Sequence, residues 1–119
     1  MRMLIVEDEN TVADHLKNTL AKNKDIVHVA YNGKDAIKMI NTTVYDIVLL
    51  DYHLPDKSGL EVMHAAKATS PGTKIIMLTG YPFMKETIAK FAGVDEYLEK
   101  PLDIEEIQAA IEKYRPEFT

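Results

Sequence analysis

Acidic, hydroxyl and amino side chains follow short apolar runs at four places in this sequence. They belong to Glu7 and Asp8, to Asp51, to Thr79 and to Lys100. If the four runs are parallel strands of one sheet, these side chains meet at its carboxyl edge, where open α/β sheets bind their ligands. Three carboxylates, a hydroxyl and an ammonium in one place would form a small acidic site able to hold a divalent cation and a phosphoryl group.

The chemistry of such a site follows from its charges. Three carboxylates within about 5 Å of one another repel by about 3 kcal/mol per pair at an effective dielectric constant near 20. Without compensation, the pKa of at least one would rise. A lysine and a divalent cation would compensate, and oxygen ligands alone suit Mg²⁺, which keeps several of its waters. A carboxylate beside bound Mg²⁺ can attack a phosphoryl group to form an acyl phosphate, while Lys100 and Thr79 neutralise and orient the phosphoryl oxygens.

The elements that must position these residues alternate between strand and helix five times. Apolar runs predict five strands, over residues 3–6, 26–30, 47–51, 75–78 and 94–98. Apolar residues at helical spacing predict five helices, marked by Val12, Leu16 and Leu20, by residues 34–42, by Leu60, Met63 and Ala66, by residues 84–92, and by Ile104, Ile107, Ile111 and Tyr114. Pro116 is expected to end the last helix.

Continuously apolar strands that are joined by helices indicate a parallel sheet buried on both faces. Right-handed crossovers place the helices on both sides of that sheet. The sequence therefore predicts an α/β fold with a doubly wound five-stranded sheet. We expect a single domain over residues 1–119, with no output domain in this chain.

Composition excludes several classes of protein. The chain has 119 residues, 46% of them hydrophobic, a net charge of −5 and no cysteine, so neither a disulfide framework nor thiolate metal binding is available. The apolar start is cut off at Glu7, which is too early for a secretory signal or a membrane span. Because the lysines are scattered among acidic residues, no direct nucleic-acid binding is expected. A cytoplasmic protein without membrane insertion is predicted.

Four segments of the chain carry a family resemblance. They are the acidic start at residues 4–9, the segment 49–55 followed by Gly59, the pair Thr79 and Gly80, and residues 93–101. In this order and at this spacing they resemble the receiver domain of two-component response regulators, and the similarity covers essentially the whole chain. The resemblance implies a flavodoxin-like (βα)5 fold with the strand order 2-1-3-4-5.

The resemblance also implies a role for the acidic residues. Asp51 would accept a phosphoryl group from a histidine kinase or a histidine phosphotransferase. Mg²⁺ would be bound by Asp8 and Asp51, by Glu7 through a water molecule, and by the backbone carbonyl of His53. The downstream protein target is not indicated by the sequence.

A conformational switch is implied in the same way. Thr79 and Lys100 would contact the phosphoryl oxygens. Thr79 would move toward them and Tyr97 would swing inward, which changes the surface formed by the helix predicted at residues 84–92, the fifth strand and the last helix. The peptide bond before Pro101 would be cis.

Two further expectations concern lifetime and assembly. Bulky Tyr81, two positions after Thr79, is expected to hinder water and lengthen the life of the phosphorylated state. The last helix lacks an arginine that transcription-factor receivers often use in dimer salt bridges, so we expect a monomer or a weak dimer.

Other functions remain open at this point. The chain could be a degenerate receiver that binds partners without phosphorylation, or a receiver fragment of a longer transcriptional regulator. An Mg²⁺-dependent phosphohydrolase with an aspartyl phosphate uses the same residue types, but such enzymes need a cap or a longer chain. A flavodoxin-like flavin binder shares the fold, but the acidic segment after the first strand would repel its phosphate.

Individual residues also have structural interpretations. Gly59 and Gly93 are expected at turns or caps that need a positive φ. Residues 7–9 could cap the first helix and complement its dipole, which is compatible with metal binding. The side chain of His53 could be a metal ligand or a second phosphoacceptor, although its backbone is favoured.

Overall fold

The computed structural model describes residues 1–22, 24–80 and 93–118. Its strands are β1 (Arg2–Val6), β2 (Ile26–Ala30), β3 (Ile47–Asp51), β4 (Lys74–Thr79) and β5 (Glu96–Glu99). Its helices are α1 (Asn10–Leu20), α2 (Gly33–Thr42), α3 (Gly59–Thr69) and α4 (Ile104–Tyr114), followed by a 3₁₀ helix over Arg115–Phe118. The helix predicted at residues 84–92 lies outside the described residues. Within the described ranges, no helix is long and apolar enough to cross a membrane.

The five strands form one parallel sheet in the order β2-β1-β3-β4-β5. This confirms the predicted fold class and strand order. The register keeps the carboxyl ends of the strands level, because Val6 pairs with Leu50 and Thr79 pairs with Glu99. Residues that follow these strands therefore emerge along one edge of the sheet.

Helices cover both faces of the sheet. Leu4 and Val6 of β1 belong to a core cluster with residues of α2 and α3. Met3 and Ile5, on the other face of the same strand, belong to a second cluster with residues of α1 and α4. All four side chains are at most 1% exposed, as expected of a central strand in a doubly wound parallel sheet.

Side-chain caps fix where three of the helices begin. Asn32, Ser58 and Asp103 accept hydrogen bonds from backbone N–H groups in the first turns of α2, α3 and α4, which is the usual role of such residues at this position. At α1 the N-cap residue is Glu9, and its side chain makes no capping hydrogen bond. The alternative that residues 7–9 serve as a hydrogen-bonding cap of the first helix is therefore not supported at Glu9.

The two glycines singled out in the sequence have different structural reasons. Gly93 has a φ of 78°, so the prediction of a positive φ is confirmed there. The same prediction is wrong for Gly59, whose φ is not positive. A Cβ atom at position 59 would lie 2.8 Å from Cα of Tyr52 and 2.9 Å from the carbonyl oxygen of Asp51. Glycine is needed there because α3 begins against the backbone that follows β3.

Pro116 does not end the helical region of the chain. α4 ends at Tyr114, and the 3₁₀ helix that follows contains Pro116 as its second residue. Proline is tolerated in the first turn of a helix, since the N–H group that it lacks would have no partner within that helix. The last α-helix thus ends two residues before Pro116, as predicted, and the 3₁₀ helix extends the helical region by four residues.

Candidate functional site

The chemistry-bearing residues stand where four strands end. Glu7 and Asp8 follow β1, Asp51 is the last residue of β3, Thr79 is the last residue of β4, and Lys100 follows β5. The structure thus brings together, along one edge of the sheet, the residues whose spacing suggested a common site.

Backbone hydrogen bonds carry the strand pairing to the site. The N–H of Lys100 donates to the carbonyl oxygen of Thr79 over 2.7 Å. The N–H of Tyr52 donates to the carbonyl oxygen of Leu78 over 2.9 Å. Each bond joins the residue that follows one strand to the end of its neighbour, so the positions of the functional side chains are set by the sheet.

Three carboxylates and one ammonium form the centre of the site. Glu7, Asp8 and Asp51 can each present an oxygen such that the three atoms lie within 4.8 Å of one another. Glu7 and Asp51 are 4% and 2% exposed, whereas Asp8 is exposed. The ammonium of Lys100 lies 2.8 Å from Oδ2 of Asp51. The cluster is therefore buried at its base and open to solvent at Asp8.

Both oxygens of the Asp51 carboxylate are held by donors. Oδ2 accepts the hydrogen bond from Lys100, and Oδ1 accepts one from the backbone N–H of His53 over 3.0 Å. These two bonds fix the plane of the carboxylate. A charge-assisted bond from an ammonium is also stronger than a neutral one, so groups of the protein itself orient Asp51.

Burial and neighbouring charges shift the pKa values of Glu7 and Lys100. Burial, a hydrogen bond with Asp8 and repulsion from Asp51 raise the pKa of Glu7 from 4.5 to about 7. Burial alone would lower the pKa of Lys100, but its hydrogen bond with Asp51 and the attraction of the neighbouring carboxylates outweigh burial and raise it. The site therefore favours bound positive charge, either as a proton or as a cation.

The donor set fits a hard divalent cation. Three carboxylates supply only oxygen, which is the donor that Mg²⁺ prefers, and the open side at Asp8 leaves room for the waters that Mg²⁺ retains. Among the described residues, this is the only group of three or more histidine and acidic side chains close enough to hold a metal ion. The imidazole of His53 lies outside this group; it is exposed and packs edge-on against the ring of Tyr52, with the ring centroids 5.2 Å apart.

Thr79 and Tyr97 lie beside this centre on β4 and β5. They are 1% and 7% exposed. Burial raises the pKa of the Tyr97 hydroxyl, and a hydrogen bond with the side chain of Thr79 opposes that rise. The two residues proposed from the sequence as moving parts are thus in contact. The peptide bond between Lys100 and Pro101 is cis.

Asp56, near this edge, makes a long-range contact that no motif in the sequence indicates. The carboxylate of Asp56 accepts hydrogen bonds from the backbone N–H groups of Gly33 and Lys34. Asp56 follows no apolar run and lies in none of the four motifs, so only the fold reveals this junction. Tyr81, expected to hinder water, lies outside the described residues.

Comparison with known proteins agrees with this geometry. A family model described as the response regulator receiver domain matches residues 3–112. Similar curated proteins include the transcriptional regulatory protein DltR of Streptococcus agalactiae, 37% identical over 112 residues, and the response regulator MprA of Mycobacterium avium, 34% identical over 122 residues. The alignments cover 93% and 98% of this chain but 50% and 54% of those proteins. The chain thus spans about half the length of these relatives.

Solved structures of the same kind superpose closely. A CheY-like receiver domain protein from Methanospirillum hungatei has a TM-score of 0.88 and 30% identity, over 98% of this chain and 94% of that one. The response regulator TrrA from Thermotoga maritima, in complex with Mg²⁺ and BeF, has a TM-score of 0.83 and 33% identity, over 95% and 97% of the two chains. The chain therefore belongs to the response regulator receiver domain family.

Proposed function

We propose that this receiver domain is a phosphorylation switch whose phosphoacceptor is Asp51. The observation that carries the proposal is the cluster of three carboxylates within 4.8 Å, with Lys100 bonded to Asp51 at 2.8 Å. Receiver domains accept phosphoryl groups from histidine kinases. For this chain the donor would be a histidine kinase or a histidine phosphotransferase, and the location would be cytoplasmic.

The residues of the edge divide the work of phosphoryl transfer. An oxygen of Asp51 attacks phosphorus, so that an O–P bond forms as the N–P bond of the donor phosphohistidine breaks, and the released imidazole nitrogen takes a proton from solvent. The carboxylates of Asp8 and Asp51, the carbonyl of His53 and a water on Glu7 would hold Mg²⁺. Bound there, Mg²⁺ supplies positive charge that offsets the charge of the phosphoryl oxygens. The similar protein TrrA was solved with Mg²⁺ and BeF, which supports this assignment.

Lys100 and Thr79 would respond to the new phosphoryl group. The ammonium already lies on Asp51 and can exchange that bond for one to a phosphoryl oxygen. The Thr79 hydroxyl can donate to another oxygen, and its contact with Tyr97 would pass the change to β5. Phosphorylation would then favour one of two surfaces on the β5–α4 side of the domain, a population shift of the kind that switches use.

A second candidate concerns the whole protein to which the domain contributes. The relatives DltR and MprA are a transcriptional regulatory protein and a response regulator, and this chain aligns with about half of each. We therefore also consider the role of a receiver segment in a longer transcriptional regulator. The chemistry proposed for Asp51 is the same in both cases, and only the responding partner differs.

Intact mass after incubation with acetyl phosphate tests the proposed chemistry. We expect wild-type protein to gain the mass of one phosphoryl group with Mg²⁺ and to gain none with EDTA. Asp51→Asn should gain none under either condition, because the amide is not a nucleophile of comparable strength. Asp46→Asn is the matched control, since Asp46 precedes the same strand at its opposite end and should leave phosphorylation intact.

Other outcomes separate the alternatives. Absence of a mass gain in folded wild-type protein would contradict the switch and favour a phosphorylation-independent interaction module. A gain that persists in Asp51→Asn would move the phosphoacceptor to another residue. Continuous release of inorganic phosphate over many turnovers, at rates far above the decay of a stable adduct, would instead indicate a phosphohydrolase.

A further inference from the structure

The loop between β3 and α3, residues 52–58, follows the phosphoacceptor and is pinned at its base. The N–H of Gly59 donates to the carbonyl oxygen of Tyr52 over 2.8 Å, and His53 and Ser58 form an isolated antiparallel bridge. The His53 carbonyl proposed as a metal ligand lies within this base. These contacts join the two ends of the loop to each other but not to the segment that carries Glu7 and Asp8. The orientation of the base relative to that segment therefore also depends on contacts made by the tip of the loop, which carries Asp56.

Asp56 ties the tip of this loop to the first turn of α2. Its Oδ1 accepts a hydrogen bond from the N–H of Gly33 over 2.8 Å, and its Oδ2 accepts one from the N–H of Lys34 over 2.9 Å. The first N–H groups of a helix have no partner within the helix. One carboxylate therefore satisfies two of them from a different element of the chain.

The start of α2 does not depend on Asp56 alone. Asn32 already caps the helix, because its Oδ1 accepts from the N–H of Asp35 over 2.8 Å. Asp35 in turn accepts from the Asn32 amide over 3.1 Å. Since this local cap exists, the contribution specific to Asp56 is the connection of the helix to the loop.

A close approach at Gly33 supports the same connection. A Cβ atom there would lie 2.8 Å from Cβ of Lys57 and 3.2 Å from Oδ1 of Asp56. Gly33 is buried in this contact. The helix end and the loop therefore fit together at two neighbouring points, of which one is polar and the other steric.

α2 is in turn connected to the strand that carries the other carboxylates. It begins shortly after β2, and Ala30 at the end of β2 accepts a hydrogen bond from the N–H of Glu7 over 3.1 Å. The junction between Asp56 and α2 thus links the loop after Asp51 to the segment that holds Glu7 and Asp8, through contacts on the side of the sheet away from Lys100.

We propose that Asp56 is a positioning residue for the metal site. By holding the loop on α2, it keeps the backbone at His53 opposite the carboxylates of Glu7 and Asp8. Asp56 does not itself belong to the carboxylate cluster, and its two oxygens are engaged elsewhere. This inference rests on the proposed Mg²⁺-dependent function, but its structural part concerns the metal-free chain.

The affinity for Mg²⁺ measures the proposed effect directly. In an NMR titration without a phosphodonor, we expect Asp56→Ala to weaken Mg²⁺ binding by about threefold to tenfold, as expected when a group that orients a ligand is removed. Asp35→Ala is the matched control, because it removes one carboxylate from the same end of α2 without touching the loop. It should stay within about twofold of wild type, since only the long-range charge effect remains.

Weaker Mg²⁺ binding in Asp56→Ala could come from displacement of the loop or from the loss of one negative charge. Two more variants and a measurement without metal distinguish these two causes. Gly33→Ala should also weaken Mg²⁺ binding, because the added methyl group would lie 2.8 Å from Cβ of Lys57 and push the loop away from α2. In metal-free Asp56→Ala, hydrogen exchange at the His53 and Gly59 amides should be about tenfold faster than in wild type, as expected for local opening of the loop. Asp56→Asn, which retains one acceptor oxygen, should lie between Asp56→Ala and wild type in both measurements.

The proposal would be overturned by equal Mg²⁺ affinities in Asp56→Ala and Asp35→Ala. Unchanged exchange at His53 and Gly59 would overturn it as well. Failure of the proposed function looks different, because wild-type protein would then gain no phosphoryl group with acetyl phosphate and Mg²⁺. The exchange experiment needs neither metal nor phosphodonor, so its result is independent of that failure.

Discussion

Asp51 has both carboxylate oxygens engaged by groups of the protein itself. Lys100 holds one and the backbone of His53 holds the other. Glu7 and Asp8 carry the other two carboxylates of the cluster, and burial, a hydrogen bond with Asp8 and repulsion from Asp51 raise the pKa of Glu7 to about 7. At the scale of single residues, the burial of Glu7 among other carboxylates therefore has a cost in stability.

Replacing Glu7 should remove part of this cost. The pKa of Glu7 in the folded state is raised from 4.5 to about 7. The free energy of unfolding of the wild type is therefore unaffected by Glu7 below pH 4.5 and declines as the pH rises toward and through 7, where Glu7 loses its proton. Glu7→Gln stays neutral, and in EDTA at pH 8 it should be more stable than wild type, by up to about 3 kcal/mol. Urea denaturation at pH 5 and pH 8 measures the difference.

Glu9→Gln provides the control for this prediction. Glu9 is exposed and its side chain makes no capping bond, so this variant changes the same charge outside the cluster and should follow the pH dependence of wild type. An advantage of Glu7→Gln that is equal at pH 5 and pH 8 would contradict the raised pKa, since it would have to come from packing.

At the scale of elements, the start of α3 is set by its approach to the end of β3. The first residue of the helix, Gly59, faces the backbone of Asp51 and Tyr52 at distances that exclude a side chain. Backbone atoms cannot rotate away as the end of a long side chain can. The loop of residues 52–58 therefore has little freedom at its base, and the position of Asp51 is coupled to the packing of α3.

Gly59→Ala should consequently destabilise the fold, by about 1–3 kcal/mol, as overpacking against fixed atoms does. Gly72→Ala is the matched control, because nothing lies within 4 Å of a Cβ atom at that position, and its effect should stay below about 0.5 kcal/mol. Thermal and urea unfolding of both variants give the comparison. Equal stability of the two would show that α3 can shift without cost.

At the scale of the whole molecule, an ion pair joins parts of the chain that are 90 residues apart. Arg115 donates from both terminal nitrogens to the two oxygens of Asp25, over 2.8 and 2.9 Å. Its Nε donates to Glu112 over 3.0 Å. The Asp25 side chain is 3% exposed and that of Arg115 is 19% exposed. This pair holds the end of α4 against the loop before β2, at the end of the sheet opposite the functional site.

Removal of Arg115 should cost about 2–3 kcal/mol at pH 7, because a nearly buried carboxylate loses its bidentate partner and keeps only the longer contacts with the N-terminal ammonium at 3.7 Å and the N–H of Lys22 at 3.2 Å. The hydrogen bond from Arg115 lowers the pKa of Asp25, so the stability that the pair contributes is present above the ordinary value of 3.8 and is lost as the pH falls through the lower folded value. The difference between Arg115→Ala and wild type should therefore shrink near pH 3.

Lys113→Ala is the control on the same helix. Its ion pair with Glu96 is largely exposed, with Lys113 at 63%, so its removal should change stability much less. Urea denaturation of the three proteins at pH 7 and pH 3 tests both statements. If Arg115→Ala were as stable as Lys113→Ala at pH 7, the pair at Asp25 would be an incidental surface contact.

The sheet and its functional edge were predictable because they rest on local signals. Each strand is a continuous apolar run, and Asp51, Thr79 and Lys100 stand directly at the ends of such runs. A parallel sheet then aligns those ends without any information on tertiary contacts. Four short motifs in a fixed order added the family and the strand order.

Contacts between distant parts of the chain were not predictable in this way. Asp56 reads as a turn residue, and nothing near it in the sequence points to the first turn of α2. Arg115 and Asp25 are ordinary charged residues until the fold places them side by side. For Gly59 the expected reason, a positive φ, was wrong. Proteins use glycine either for a positive φ or for close packing, and the sequence does not show which of the two applies at a given position.

Lys100 is bonded to two strands at once, through its backbone to Thr79 and through its side chain to Asp51. If the proposed switch operates through these residues, phosphorylation and partner binding are thermodynamically coupled, and each affects the other. A partner that binds more tightly to the phosphorylated form must, by reciprocity of binding free energies, stabilise the phosphorylated form by the same factor. The output partner would then also be an input, since its concentration would help to set how much of the protein is phosphorylated.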